Sequence, residues 1–310
     1  MAPIEEPGPS GRPSPDRPAV RGRVTTPDGL GIATYDFGGD GPDLLLVHAT
    51  GFCAAVLAPL AGHLADRFHC WGIDLRFHGH SDRAPDGDHD WSGFATDVLT
   101  AVDQLGLDRP AGFGHSCGGA ALLLAEERNP GTLRSIYAFE PVMFPGAPAP
   151  EAMFDNPLSA GALRRRQTFP SRADAFVNFS SKPPFGDLDP DVLAGYVEDG
   201  FEVVPSGEGG DGATVRLRCR REDEAAIYAN GVTHHAFVGL GGVDCHVTLA
   251  YGEETDAFGP TFAEADAAAL RSASVEGYPG LSHFGPLERP EAVAPKVAER
   301  LGHGAAPPRS

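Results

Sequence analysis

The chain has 310 residues, with 43 acidic and 24 basic side chains and a net charge of −19. That balance disfavours nucleic-acid and anionic-membrane partners, whose binding depends on attraction to phosphate. A hydrophobic share of 41% excludes wholesale disorder, and no run of about 18 apolar residues is present to cross a bilayer.

Residues 1–22 are Pro-rich and carry Glu5 and Glu6 instead of an apolar signal core, so they read as a disordered, non-secretory tail. Val24–Thr26, Pro27-Asp28-Gly29 and Ile32–Phe37 read as strand, turn and strand. Asp43–His48 is apolar without alternation, the pattern of a strand buried on both faces of a parallel sheet. Leu57, Leu60, Leu64 and Phe68 have helical spacing, Cys70–Asp74 is a short strand, and Phe94, Val98, Val102 and Leu105 mark an amphipathic helix over 94–107. Ala111–Gly114 is a strand, Gly118–Arg128 a small-residue helix stopped by Asn129-Pro130-Gly131, and Ser135–Phe139 another strand.

From 145 to 244 the alternation breaks. Helical pieces are expected at 162–166, 173–179 and 190–199, with a short β element at 214–219. Alternation resumes with strands at 246–251 and 274–278 and helices at 262–270 and 292–301. The expected fold is α/β, with a mainly parallel sheet flanked by helices. Its core is 23–144 plus 245–303. Residues 145–244 form an inserted, mainly helical cap, and 304–310 form a second disordered tail. The five cysteines are odd in number and lack C-x-x-C spacing, which favours free thiols in a reducing cytoplasm.

Gly114-His115-Ser116-Cys117-Gly118 is a G-x-S-x-G sequence between a predicted strand and a predicted helix, the context of a nucleophile elbow. A serine hydroxyl needs a base, and the base needs an orienting acid. His283 follows the last predicted strand, at the sheet edge where Ser116 also lies. Two carboxylates are candidates for the acid: Glu140, directly after the strand 135–139, and Asp256, past the strand 246–251. Backbone N–H groups best stabilise an oxyanion; here they are assigned to Cys117 and to Thr50, in the loop after the strand 43–47.

Together these segments resemble the α/β-hydrolase superfamily. The resemblance rests on Leu45–Phe52, Asp74–Asp82, Gly114–Gly119 and His283–Pro290, and it spans about residues 24–301. It implies an eight-stranded sheet, a lid after the sixth strand, a Ser–His–acid triad and no cofactor. The chain departs from the usual pattern at Ala49 and at Arg76-Phe77-His78-Gly79. The usual acid position after the seventh strand is Thr255, with Asp256 one residue later. Some relatives carry the acid after the sixth strand, so Glu140 is favoured. Ser116 stands where dehalogenases and epoxide hydrolases carry Asp, which argues against both activities.

The expected function is hydrolysis of a small carboxylic ester or lactone through an acyl-enzyme on Ser116. Amide or C–C hydrolysis would use the same groups. A lyase, a cofactor-free oxygenase or a binding module is the alternative from a different class. His234-His235 has no third ligand at helpful spacing, so no metal is expected. Arg164-Arg165-Arg166 reads as a solvated helix face, with steering of an anionic substrate as its functional alternative.

Overall fold

A computed structural model describes residues 20–145, 156–205 and 213–302. The two expected disordered tails therefore lie mostly outside the described residues. At the N-terminal end β1 (Val20–Thr25) starts three residues before the expected onset at Arg23, because Val20–Gly22 pair with Thr34–Asp36 of β2 (Gly31–Gly38).

Eight strands form one sheet. The remaining six are β3 (Asp43–Val47), β4 (His69–Ile73), β5 (Ala111–His115), β6 (Ser135–Phe139), β10 (His246–Gly252) and β11 (Ala273–Tyr278), in the spatial order β1-β2-β4-β3-β5-β6-β10-β11. Pairing is antiparallel for β1/β2 and β2/β4 and parallel from β4 onward. The apolar run of β3 explains why the middle of the sheet is covered on both sides. Leu44 and Leu46 point into one core with α1 (Ala58–Leu64) and α11 (Pro290–Gly302). Leu45 and Val47 point into the other, with α2 (Ser92–Gln104) and α3 (Cys117–Arg128).

Between β6 and β10 lies an insertion with more β structure than its composition suggests. It contains α4 (Pro157–Leu163), β7 (Thr168–Phe169), α5 (Arg172–Ser180), α6 (Pro190–Asp199), β8 (Phe201–Pro205), β9 (Ala213–Leu217), α7 (Arg221–Asn230) and α8 (Ala236–Gly239). The strands β7, β9 and β8 form a separate antiparallel sheet. An aromatic cluster fastens the insertion to the core: Phe52 of the core packs on Phe185 and Tyr196, and these pack on Phe179. After β10 come α9 (Pro260–Ala269) and, after β11, the one-turn α10 (Gly285–Glu288).

The loop after β4 is anchored by a buried ion pair. Arg76 donates from its backbone N–H (2.9 Å) and from Nη2 (2.7 Å) to the Asp97 carboxylate on α2. Burial pushes the Asp97 carboxyl up to about 6, against the pull of Arg76. Removing one member of such a pair leaves a buried charge uncompensated. Arg76→Met is therefore expected to lower unfolding free energy in urea by about 3–5 kcal/mol; a loss under about 1 kcal/mol would contradict this role.

Candidate active site

Six parallel strands deliver their carboxyl ends to one edge of the sheet, the usual place for a site in this architecture. β5 ends at His115 and α3 begins at Cys117, so Ser116 alone makes the turn. Its backbone has φ 54° and ψ −115°, a region that non-glycine residues rarely occupy. Such geometry costs on the order of 1–3 kcal/mol and persists only where the surroundings over-determine it. Here the Ser116 N–H donates to Phe139 O (2.9 Å), and its carbonyl accepts from Ala120 N–H (3.2 Å) and Val142 N–H (3.3 Å). The flanking glycines are explained by close approach. A Cβ on Gly114 would lie 2.5 Å from the Gly118 backbone, and one on Gly118 would lie 2.2 Å from Val47 O. Only hydrogen at both positions lets α3 start against the end of β3.

Glu140 follows β6 directly, also with positive φ (44°), and its side chain is fully buried. Its carboxylate accepts four hydrogen bonds: from Gly252 N–H (3.0 Å), Thr255 Oγ1 (2.9 Å), Phe258 N–H (3.2 Å) and His283 Nδ1 (2.7 Å). The loop after β10 thus wraps around Glu140, and Thr255 is one of its donors. Asp256 is exposed and lies outside this hydrogen-bond set.

With Nδ1 turned to Glu140, His283 has Nε2 left for a reacting group. No hydrogen bond joins Nε2 to the Ser116 hydroxyl among the described residues. The two residues are nevertheless tied through His115, whose Nε2 lies 2.8 Å from His283 O and whose ring centroid lies 5.0 Å from that of His283. A carbonyl oxygen only accepts, so Nε2 of His115 carries the proton. Burial holds this ring neutral, with its pKa well below the ordinary 6.5. In the sequence His115 stands at an unspecified position of G-x-S-x-G, and only the fold brings it to His283.

Cys117 is the first residue of α3, and the first N–H groups of a helix have no partner within it. Its thiol is pushed up to about 12 by burial, a rise that the Thr50 side chain opposes, so the two residues assigned to oxyanion binding are neighbours. Two buried histidines brace this loop. His48 Nδ1 donates to Ala49 O (2.8 Å) and its Nε2 accepts from Leu75 N–H (3.0 Å). His78 Nδ1 donates to Arg76 O (2.9 Å), and its Nε2 accepts from Gly51 N–H (3.0 Å). Each ring needs one bare nitrogen for this, so both must be neutral. Burial lowers His48 to about 4 and His78 to about 3.

The family model described as "Alpha/beta hydrolase family" matches residues 44–296. The chain belongs to the alpha/beta hydrolase family. Among curated proteins it is similar to 2-(acetamidomethylene)succinate hydrolase of Mesorhizobium japonicum, with 31% identity over 102 residues. That match covers 33% of this chain and 36% of the relative. It is also similar to N-formylmaleamate deformylase of Pseudomonas putida, with 30% identity over 128 residues, 41% of this chain and 48% of that protein. These matches span less than half the length of either relative. Among solved structures, E-2-(acetamidomethylene)succinate hydrolase superposes with a TM-score of 0.76 at 22% identity, covering 91% of this chain and 98% of that one. The enol-lactonase from Burkholderia xenovorans gives 0.69 at 18% identity, covering 91% and 100%. At such identities the likeness is one of fold.

The neutral histidines make stability pH-dependent with a definite sign. As pH falls below 6.5 the unfolded chain takes up protons that the folded rings refuse. The stabilisation is complete above pH 6.5 and is lost as pH falls toward the folded values of about 4 and 3. At pH 5 the loss is about 2 kcal/mol per ring. In His78→Gln the drop in unfolding free energy between pH 7.5 and pH 5 is expected to shrink by that amount; an unchanged drop would contradict the assignment.

Proposed function

We propose that this protein is a serine hydrolase that passes through an acyl-enzyme on Ser116. The observation that carries this reading is the buried carboxylate of Glu140 hydrogen-bonded to Nδ1 of His283, with His283 tied by His115 to the turn that holds Ser116. Ser116 Oγ attacks the acyl carbon while His283 Nε2 takes its proton. Glu140 fixes the ring orientation and stabilises the imidazolium that forms. The N–H groups of Thr50 and Cys117 hold the oxyanion in the tetrahedral intermediate. His283 then returns the proton to the leaving group, and water, deprotonated by His283, releases the acid. The insertion between β6 and β10 acts as a cap that limits the substrate to small molecules.

Esters and lactones suit this machinery, and the fold likeness to an enol-lactonase supports them. A second reading is favoured by the curated relatives, whose names specify a hydrolase of an acetamidomethylene compound and a deformylase of an N-formyl compound. In that reading the acyl group leaves from nitrogen and His283 protonates the leaving amine. Matched ester and N-formyl substrates separate the two by kcat/KM.

A fluorophosphonate probe is expected to label the wild-type protein and not Ser116→Ala; equal labelling of both would contradict the mechanism. Glu140→Gln is expected to lower kcat by about 10³–10⁴-fold, while Asp256→Asn stays within roughly twofold of wild type. A large loss confined to Asp256→Asn would move the acid to that residue.

A further inference from the structure

The run Arg164-Arg165-Arg166 is not one solvated face. Arg164 and Arg166 are exposed, and Arg166 lies over the Phe169 ring with its Nε donating to Thr168 O. Arg165 turns inward. Its guanidinium lies 5.6 Å and 5.9 Å from the Phe185 and Phe179 ring centroids. Nη1 donates to both oxygens of Glu224 on α7 (2.5 Å each), and Nη2 donates to Tyr196 Oη (2.6 Å).

This pair touches the loop proposed to hold the oxyanion. A Cβ on Gly51 would lie 2.7 Å from Glu224 Oε1 and 3.2 Å from Arg165 Nη1, and Gly51 also has φ +81°. Gly51 adjoins Thr50, whose side chain influences the Cys117 thiol. Glu224 is 4% exposed, yet Arg165 keeps 20% of its side chain accessible. An arginine has five N–H donors. Three are used here, and Nε–H with one Nη2–H has no acceptor among the described residues. Tyr228, one helical turn after Glu224, is partly exposed. It has Glu224, Arg165, Cys219 and Cys117 as electrostatic neighbours. Its hydroxyl has no hydrogen-bond partner among the described residues.

We propose that Arg165, with the Tyr228 hydroxyl beside it, is a subsite for a carboxylate on the substrate, so that the preferred acyl compound carries an acid group close to the bond that is cleaved. The free donor edge of Arg165 accepts a carboxylate in two-point fashion. Glu224 holds the guanidinium in place and offsets its charge, which keeps the empty site stable and makes the preference moderate. The proposal rests on the serine-hydrolase reading for what happens to the bond, and on the Arg165 geometry for what is recognised.

The test compares monomethyl succinate and monomethyl glutarate with their neutral terminal-amide counterparts by kcat/KM. Wild type is expected to favour the acid by about tenfold or more in one of the two lengths. Arg165→Met is expected to bring that ratio near one. Glu224→Gln, which leaves the guanidinium uncompensated, is expected to raise it. A wild type without preference at either length overturns the subsite. So does a ratio unchanged in Arg165→Met, the outcome if Arg165 only braces the cap. Calorimetric binding of glutarate needs no turnover: at least tenfold weaker binding by Arg165→Met supports the subsite, and no binding or equal binding overturns it. Failure of the probe to label Ser116 overturns the reaction alone.

Discussion

The Glu140 carboxylate is the point on which the site's geometry depends. A buried carboxylate is tolerated only when its lone pairs are met by donors, and here Glu140, at the end of β6, takes its donors from two further stretches of chain. Gly252, Thr255 and Phe258 supply the end of β10 and the loop behind it, and His283 supplies the loop behind β11. Satisfying one side chain therefore fixes three strand ends relative to one another. The imidazole is the only donor in the set with a second reactive atom, so the arrangement that satisfies the acid also presents Nε2 of His283 to the sheet edge.

The second constraint is steric. Gly114 and Gly118 let the turn at Ser116 close so tightly that α3 begins against the backbone of β3. The Thr50 loop and the first N–H of α3 are brought together by that contact. His48 and His78 then hold the loop through hydrogen bonds that only neutral rings can make. Strain at Ser116, bare glycines and neutral buried histidines are thus parts of one arrangement, and the Arg165–Glu224 pair closes over it from the insertion.

Much of the fold was legible because its signals are local. The apolar run at 43–48, the periodic helix near 94–107 and the small-residue helix after Ser116 each reflect which faces are buried. G-x-S-x-G was legible because its glycines answer a steric demand of the turn. The insertion was harder to read. α7 begins Arg-Glu-Asp-Glu and buries Asp223 and Glu224, so hydrophobic periodicity gives it no signal. Its burial is made possible by Arg83, His89 and Arg165, which lie far away in the chain. The same blindness made Arg165 look like surface. β7 is a two-residue edge strand whose partner, β9, lies far along the chain. For Glu140 and Asp256, sequence offered two carboxylates at strand ends; only the folded chain distinguishes one enclosed by four donors from one facing solvent.

Glu140 holds the His283 ring through the Nδ1 proton. Proton NMR of the wild-type protein in water tests this directly, because a proton shared between imidazolium or imidazole and a buried carboxylate resonates far downfield of ordinary amides. Such a resonance is expected in wild type and in Asp256→Asn, and its loss in both Glu140→Gln and His283→Gln. A downfield proton that survives Glu140→Gln and disappears in Asp256→Asn would contradict this assignment.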